Sequence, residues 1–193
     1  SRIDRERYDP WFFYYPSGQD LDKIAGVFHE IFLSGRIIDM RRRSMIIVAH
    51  SMGGLVTRRA LNTYAENRDG HFVKLYVTMC TPFGGDDMAA SGVERAPVVV
   101  PSWRDVAAGS SFLDSLYRLT LEEHAEHHLF FGYRDDSGVR RGDNSDGTIS
   151  LRSQLFPVVQ FAADGLYGYN ETHTSILTSP AVADRLNELL DDY

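Results

Sequence analysis

The sequence predicts an α/β fold, a mostly parallel sheet with helices on both faces. Two observations carry this. Ile46-Ile47-Val48 is a short, unbroken β-branched run, the pattern of a strand buried on both faces of a parallel sheet. Between such runs lie stretches whose apolar residues recur at three and four, as on an amphipathic helix. Strands alternating with helices imply βαβ units, and in such sheets function sits in the loops at the carboxyl ends of the strands.

The N-terminal nine residues are charged and irregular, and Pro10-Trp11-Phe12-Phe13-Tyr14-Tyr15 reads as an aromatic strand stopped by Pro16-Ser17-Gly18. Leu21, Ile24, Ala25, Phe28, Ile31 and Phe32 predict a helix, ended by Gly35. A strand over 45–49 follows, then a turn centred on Ser51 and a helix from Met52 carrying Leu55, Val56, Ala60, Leu61 and Tyr64. Residues 72–80 form the next strand, halted by Thr81-Pro82-Phe83-Gly84-Gly85. The segment 86–109, rich in Gly, Pro, Ala and Ser, is longer than an ordinary connection and reads as a covering segment. Gly109-Ser110-Ser111 caps a helix with Phe112, Leu113 and Leu116, and 128–133 is a strand. A polar loop runs over 134–148, 158–162 is read as the last strand, and 179–190 as a final helix buried through Ala183, Leu186, Leu189 and Leu190.

At 193 residues the chain has the length of one domain. Its net charge of −7 argues against a nucleic-acid partner. Arg41-Arg42-Arg43, the one basic run, reads as a solvated loop. Cys80 is the single cysteine, which excludes an internal disulfide; it reads as buried and is compatible with a cytoplasmic setting without requiring it. No apolar stretch approaches the ~20 residues of a membrane span, and no signal-peptide pattern is present. The first residue, Ser1, suggests a processed or trimmed product.

The chemistry centres on Ser51. A serine on a tight strand-to-helix turn has its hydroxyl lifted off the sheet edge, and small residues two before and two after let strand and helix pass closely. Ala49 and Gly53 occupy those positions. Most serines before glycines merely form turns, but this one has a buried-type strand before it and a helix after. A serine hydroxyl needs a base to take its proton and a third group to hold that base. His50 is adjacent to Ser51 and points off the other side of the strand; His29 lies mid-helix; His71 precedes a strand at the far end. His124 and His128, four apart, could meet a metal on a helix, but no further ligand set is recognisable, and with Glu122, Glu123, Glu126 and His127 they read as a solvated acidic face. No metal or cofactor is expected. His173, between the last strand and the last helix, is the best-placed base. For its acid, Asp146 lies between Ser51 and His173 in sequence, with Asp164 as the main alternative and Asp135, Asp136 and Asp143 as weaker rivals. The backbone N–H of Met52, opening a helix, is one oxyanion donor.

These residues resemble the α/β-hydrolase superfamily, in its lipase and esterase branch of triacylglycerol lipases and GPI-inositol-deacylase-like proteins. The matching pieces are 13–18 (Phe-Tyr-Tyr-Pro-Ser-Gly), 48–56 around Ser51, Thr81-Pro82-Phe83-Gly84-Gly85, Ser145-Asp146-Gly147-Thr148-Ile149 and Thr172-His173. The resemblance implies Ser51 as nucleophile, His173 as general base and Asp146 as its partner. It also implies that 86–120 is a lid or acyl-chain wall, with Phe83, Val99 and Trp103 at the substrate. The family's oxyanion strand would fall between the strands at 10–15 and 45–49 in the sheet and lies upstream in the family's order, so the resemblance implies an N-terminally incomplete domain. The expected function is hydrolysis of carboxylic esters, lipid-like ones, with transient contact at a lipid interface. An acyltransferase, thioesterase or amidase would use the same three residues, and a non-catalytic scaffold or binding module is the alternative of a different class.

Overall fold

The computed structural model of the chain describes residues 3–39, 43–67, 70–86, 89, 100–119, 121, 124–136 and 144–193. Four strands, β1 (Met45–His50), β2 (Val73–Met79), β3 (Glu126–Gly132) and β4 (Gly165–Tyr169), form one sheet in that order, each parallel to its neighbour. The register pairs His50 with Met79, Met79 with Phe130, and Gly132 with Tyr169. The loops that follow β1, β2, β3 and β4 therefore leave from one rim, which is where a parallel sheet gathers its functional groups.

Helices cover both faces. On one side α1 (Leu21–Phe28) and α2 (Met52–Asn67) pack Leu21, Ile24, Phe28, Leu55, Leu61 and Tyr64 over Ile47, Ala49 and Tyr76 of the sheet. On the other, α7 (Pro180–Leu190) sets Val182, Leu189 and Leu190 against Leu75, Val77, Met79 and Phe130. Burial on both faces, expected for Ile46-Ile47-Val48, is found instead in β2 from Leu75 to Met79; β1 ends the described sheet, with Ile47 buried and Val48 46% exposed. Asp20 caps α1 by accepting from the Lys23 N–H at 3.1 Å. A π-helical turn (His29–Leu33) extends α1, and Gly35, at φ 71°, lies just beyond it.

The covering segment divides. Its described part holds α3 (Pro101–Val106), with Trp103 46% exposed, and α4 (Ser111–Leu116), whose Phe112, Leu113 and Leu116 belong to the core. The Ser110 hydroxyl caps α4 by accepting from the Leu113 N–H at 3.2 Å. Val99 lies outside the described residues.

Three expectations are corrected. Residues 10–15 form no strand; Phe13 packs on Phe28 and Phe32, Phe12 and Tyr14 face out, and Trp11, 58% exposed, meets the Phe32 ring edge-on at 6.2 Å. Pro10 and Pro16 at its ends have no N–H for a ladder, and its attachment is aromatic packing instead. Residues 158–162 are helical, within α6 (Pro157–Ala162), and the last strand is β4. Pro157 at the first helical position has the right φ and no orphaned donor. Gly165 and Gly168 lower the strand signal of β4, yet a Cβ at Gly165 would meet His128 Nδ1 at 2.4 Å and one at Gly168 would meet Phe131 Cζ at 2.6 Å. Finally, His124 precedes β3 and His128 lies on it, so the two do not share a helix, and His127 and His128 are buried in the strand and not part of a solvated face. His127 stacks on Tyr76 at 4.7 Å, and burial, with Arg58 nearby, pushes it down to about 3, so it is neutral.

Candidate active site

Ser51 occupies the single residue between β1 and α2, at φ 53°, a left-handed conformation that a serine holds only where the surroundings impose it. Its N–H donates to the Met79 carbonyl at 2.8 Å and its own carbonyl accepts from the Gly54 N–H at 3.0 Å, so both sides of the turn are fixed. Met52 is the first residue of α2, where backbone N–H groups have no intrahelical acceptor.

The close approach behind this turn falls on Gly54 and not on Gly53. A Cβ on Gly54 would stand 2.0 Å from Thr81 Oγ1 and 2.8 Å from Thr81 Cβ, whereas one on Gly53 would meet the Tyr15 hydroxyl at 3.6 Å, an ordinary contact. Gly54→Ala is expected to destabilise the fold by about 1–3 kcal/mol through overpacking, while Gly53→Ala, at a helical position, is neutral or gains up to about 1 kcal/mol. Denaturant midpoints of the two variants check this. Equal losses would show that the helix start, and not the Thr81 contact, sets the requirement.

His173 follows β4, and its Nε2 stands 2.9 Å from Ser51 Oγ. Its Nδ1 is 2.7 Å from Asp146 Oδ2, and its backbone N–H donates to the Asp146 carbonyl at 2.8 Å. A carboxylate accepts only, so this network assigns the proton to Nδ1 and the lone pair of Nε2 to the serine. Asp146 is fully buried; its Oδ1 accepts from the Thr148 and Ile149 N–H groups at 2.9 and 2.7 Å. Burial alone would raise this carboxyl, but hydrogen bonds from His173 and the two backbone amides, with the nearby imidazole charge, hold it below the ordinary carboxylate range.

The Asp146 loop is itself braced. The side chain of Gln154, which ends α5 (Leu151–Gln154), donates to the carbonyls of Gly132 and Ile149 at 3.1 and 3.0 Å and accepts from the Gly132 N–H at 3.1 Å, joining the loop to the end of β3. Gly147, at φ 91°, turns the chain between Asp146 and Thr148.

The described rival acids have other partners. Asp135 accepts from the Ser145 hydroxyl at 2.9 Å and Asp136 pairs with Arg134 at 3.1 Å, while Asp143 lies outside the described residues. Asp164 precedes β4 and accepts from the His127 N–H at 2.8 Å, at the far end of the sheet. Phe83, expected at the substrate, is corrected: it is fully buried, edge-on to His127, with its carbonyl accepting from the Tyr117 hydroxyl. The tight turn from Thr81 to Gly85 folds the ring inward into the core. His50 leaves Ser51 to His173, as its position on the strand implied, but it packs on His173 with ring centroids 4.7 Å apart. Cys80 is buried at φ 49°, its sulfur beside the triad, and burial with the neighbouring Asp146 charge keeps it a protonated thiol.

Residues 35–94, which include the Ser51 turn and the Thr81–Gly85 loop, match the profile of the Lecithin:cholesterol acyltransferase family. No curated protein matches the chain. Among solved structures, Bacillus licheniformis lipase BlEst2 in mature form is similar at 18% identity and a TM-score of 0.66, over 89% of this chain and 75% of that one. Phospholipase PlaB from Legionella pneumophila, in complex with thio-NAD, is similar at 16% identity and a TM-score of 0.58, over 75% of this chain. The match spans 34% of the Legionella chain, so this chain corresponds to about a third of that protein.

Proposed function

This chain has the α/β-hydrolase fold, and we propose that it cleaves carboxylic esters, lipid-like ones, through an acyl-enzyme on Ser51. The observation that carries the reading is the unbroken series from Ser51 Oγ through His173 to the buried Asp146, at 2.9 and 2.7 Å. Ser51 Oγ attacks the ester carbonyl carbon while its proton passes to His173 Nε2. The tetrahedral oxyanion sits against the Met52 N–H. Asp146 faces the imidazolium and stabilises it. His173 then gives the proton to the departing alkoxide oxygen, leaving the acyl group on Ser51. Water attacks this second ester as His173 takes its proton; collapse of the intermediate breaks the bond to Ser51 Oγ, which receives that proton back from His173, and the carboxylic acid leaves.

Lipid-like substrates are supported by the lipase and phospholipase names of the structural relatives and by the exposed Trp103 on α3. A second reading has the acyl group delivered to an alcohol in place of water; the acyltransferase family match over 35–94 favours it, and it uses the same acyl-enzyme.

Intact-mass analysis after treatment with a fluorophosphonate tests the shared step. One adduct on the folded chain, lost in Ser51→Ala, is the expected result. No adduct on a chain whose circular dichroism shows it folded would overturn the reading in favour of a non-catalytic scaffold.

A further inference from the structure

We propose that His50 is a positioning residue for His173, donating from its Nε2–H to the His173 backbone carbonyl and so tying the base to the strand that carries the nucleophile. The inference rests on the assignment of His173 as general base. His50 Nε2 lies 2.7 Å from the His173 carbonyl oxygen. A carbonyl can only accept, so Nε2 bears the proton and the tautomer of His50 is set. Burial lowers the basicity of His50, in agreement with a neutral ring there.

The need for such a contact follows from how the His173 loop is held. Within the loop, the Thr172 N–H donates to Ser175 Oγ at 2.8 Å and the Ser175 N–H to Thr172 Oγ1 at 3.2 Å. These bonds shape the loop but do not place it relative to β1. Arg134 ties the loop to the end of β3, its N–H donating to the Glu171 carbonyl at 3.1 Å and its guanidinium to Ser175 Oγ at 3.3 Å. The ties to the acid and to β1 come from the two peptide groups of His173. The N–H donates to the Asp146 carbonyl at 2.8 Å, which ties the base to the acid. The carbonyl accepts from His50, the last residue of β1, which ties the base to the nucleophile's strand. His50 is in turn held by its pairing with Met79 in the sheet. The 2.9 Å separation of Nε2 and Ser51 Oγ is thus set by a short rigid path through one ring. Proton transfer is steep in that separation: a misplacement of about 1 Å can cost roughly 100-fold.

The test compares His50→Leu, which keeps bulk without a donor, with His50→Gln, whose side-chain amide can reach the position of Nε2. Two readouts are taken: kcat and KM on a soluble p-nitrophenyl ester, and the far-downfield proton resonance of the His173 Nδ1–H. His50→Leu is expected to lose roughly 10- to 100-fold in kcat with KM little changed, and to broaden that resonance. His50→Gln should recover most of both. Wild-type kcat in His50→Leu, equal impairment of the two variants, or a loss confined to KM would overturn the proposal. Should His50→Leu fail to fold, His50→Gln decides: near-wild-type kcat and a sharp resonance support the contact, and impairment on both counts refutes it. If the wild-type chain shows no ester turnover, the hydrolase reading fails by itself while the resonance still reports on the His50 contact.

Discussion

Ser51→Ala is expected to lower kcat roughly 10⁴- to 10⁶-fold, and the double variant Ser51→Ala/His173→Ala to lose no more than the worse of its two components. The reason is that the two groups act on one proton. Ser51 Oγ and His173 Nε2, 2.9 Å apart, share the hydrogen whose transfer makes the oxygen a nucleophile. Without the hydroxyl the base has nothing to activate, and without the base the hydroxyl stays weak. What survives in either variant is binding and the donor at Met52, which do not depend on that proton. Steady-state rates on one ester for wild type, both single variants and the double, at equal concentrations of protein shown to be folded by circular dichroism, check the pattern. Losses that multiply would mean that the two residues act independently and that the geometry has been assigned the wrong chemistry. A Ser51→Ala variant retaining a tenth of the activity would place the nucleophile elsewhere.

The parallel sheet was legible because Ile46-Ile47-Val48 is β-branched without interruption, although the run overstates the burial: β1 ends the described sheet, with Ile47 buried and Val48 46% exposed. β4 was not legible, because the two glycines that let it sit against His128 and Phe131 also remove the side chains by which a strand is recognised. The β-branched pair Val158-Val159 drew the strand assignment instead, and Pro157 outweighed it by opening a helix. At the site, Ser51, Asp146 and His173 could be picked out by their order and by the loops they occupy, and the fold brings all three within hydrogen-bonding distance. Phe83 could not be placed, since whether an aromatic after a strand lines a pocket or turns into the core depends on a turn of a few residues. Gln154 and His50 act on backbone carbonyls, and a partner with no side-chain identity leaves no pattern in a sequence.

Asp146→Asn is expected to lower kcat about 10⁴-fold near neutral pH while leaving the fold in place. The asparagine can keep its oxygen toward the Thr148 and Ile149 N–H groups, which donate to Oδ1 at 2.9 and 2.7 Å. That orientation turns the amide NH₂ toward His173 Nδ1, where the carboxylate had accepted at 2.7 Å. The imidazole must then present a lone pair at Nδ1 and carry its proton on Nε2, where it cannot take one from Ser51. Stability changes with a definite sign. The folded carboxyl is held below its ordinary value of about 3.9. The wild-type protein therefore has a contribution from Asp146 that is full above that ordinary value and is lost as pH falls through the lower folded one. Asparagine does not titrate, so the variant should show a shallower fall in unfolding midpoint over that acid window than wild type. Denaturant titrations from neutral pH to pH about 2, beside the kcat measurement, separate the two effects. A variant that keeps its rate would remove Asp146 from the reaction, and one whose acid profile matches the wild type would show that its carboxylate is not the group whose charge the fold stabilises.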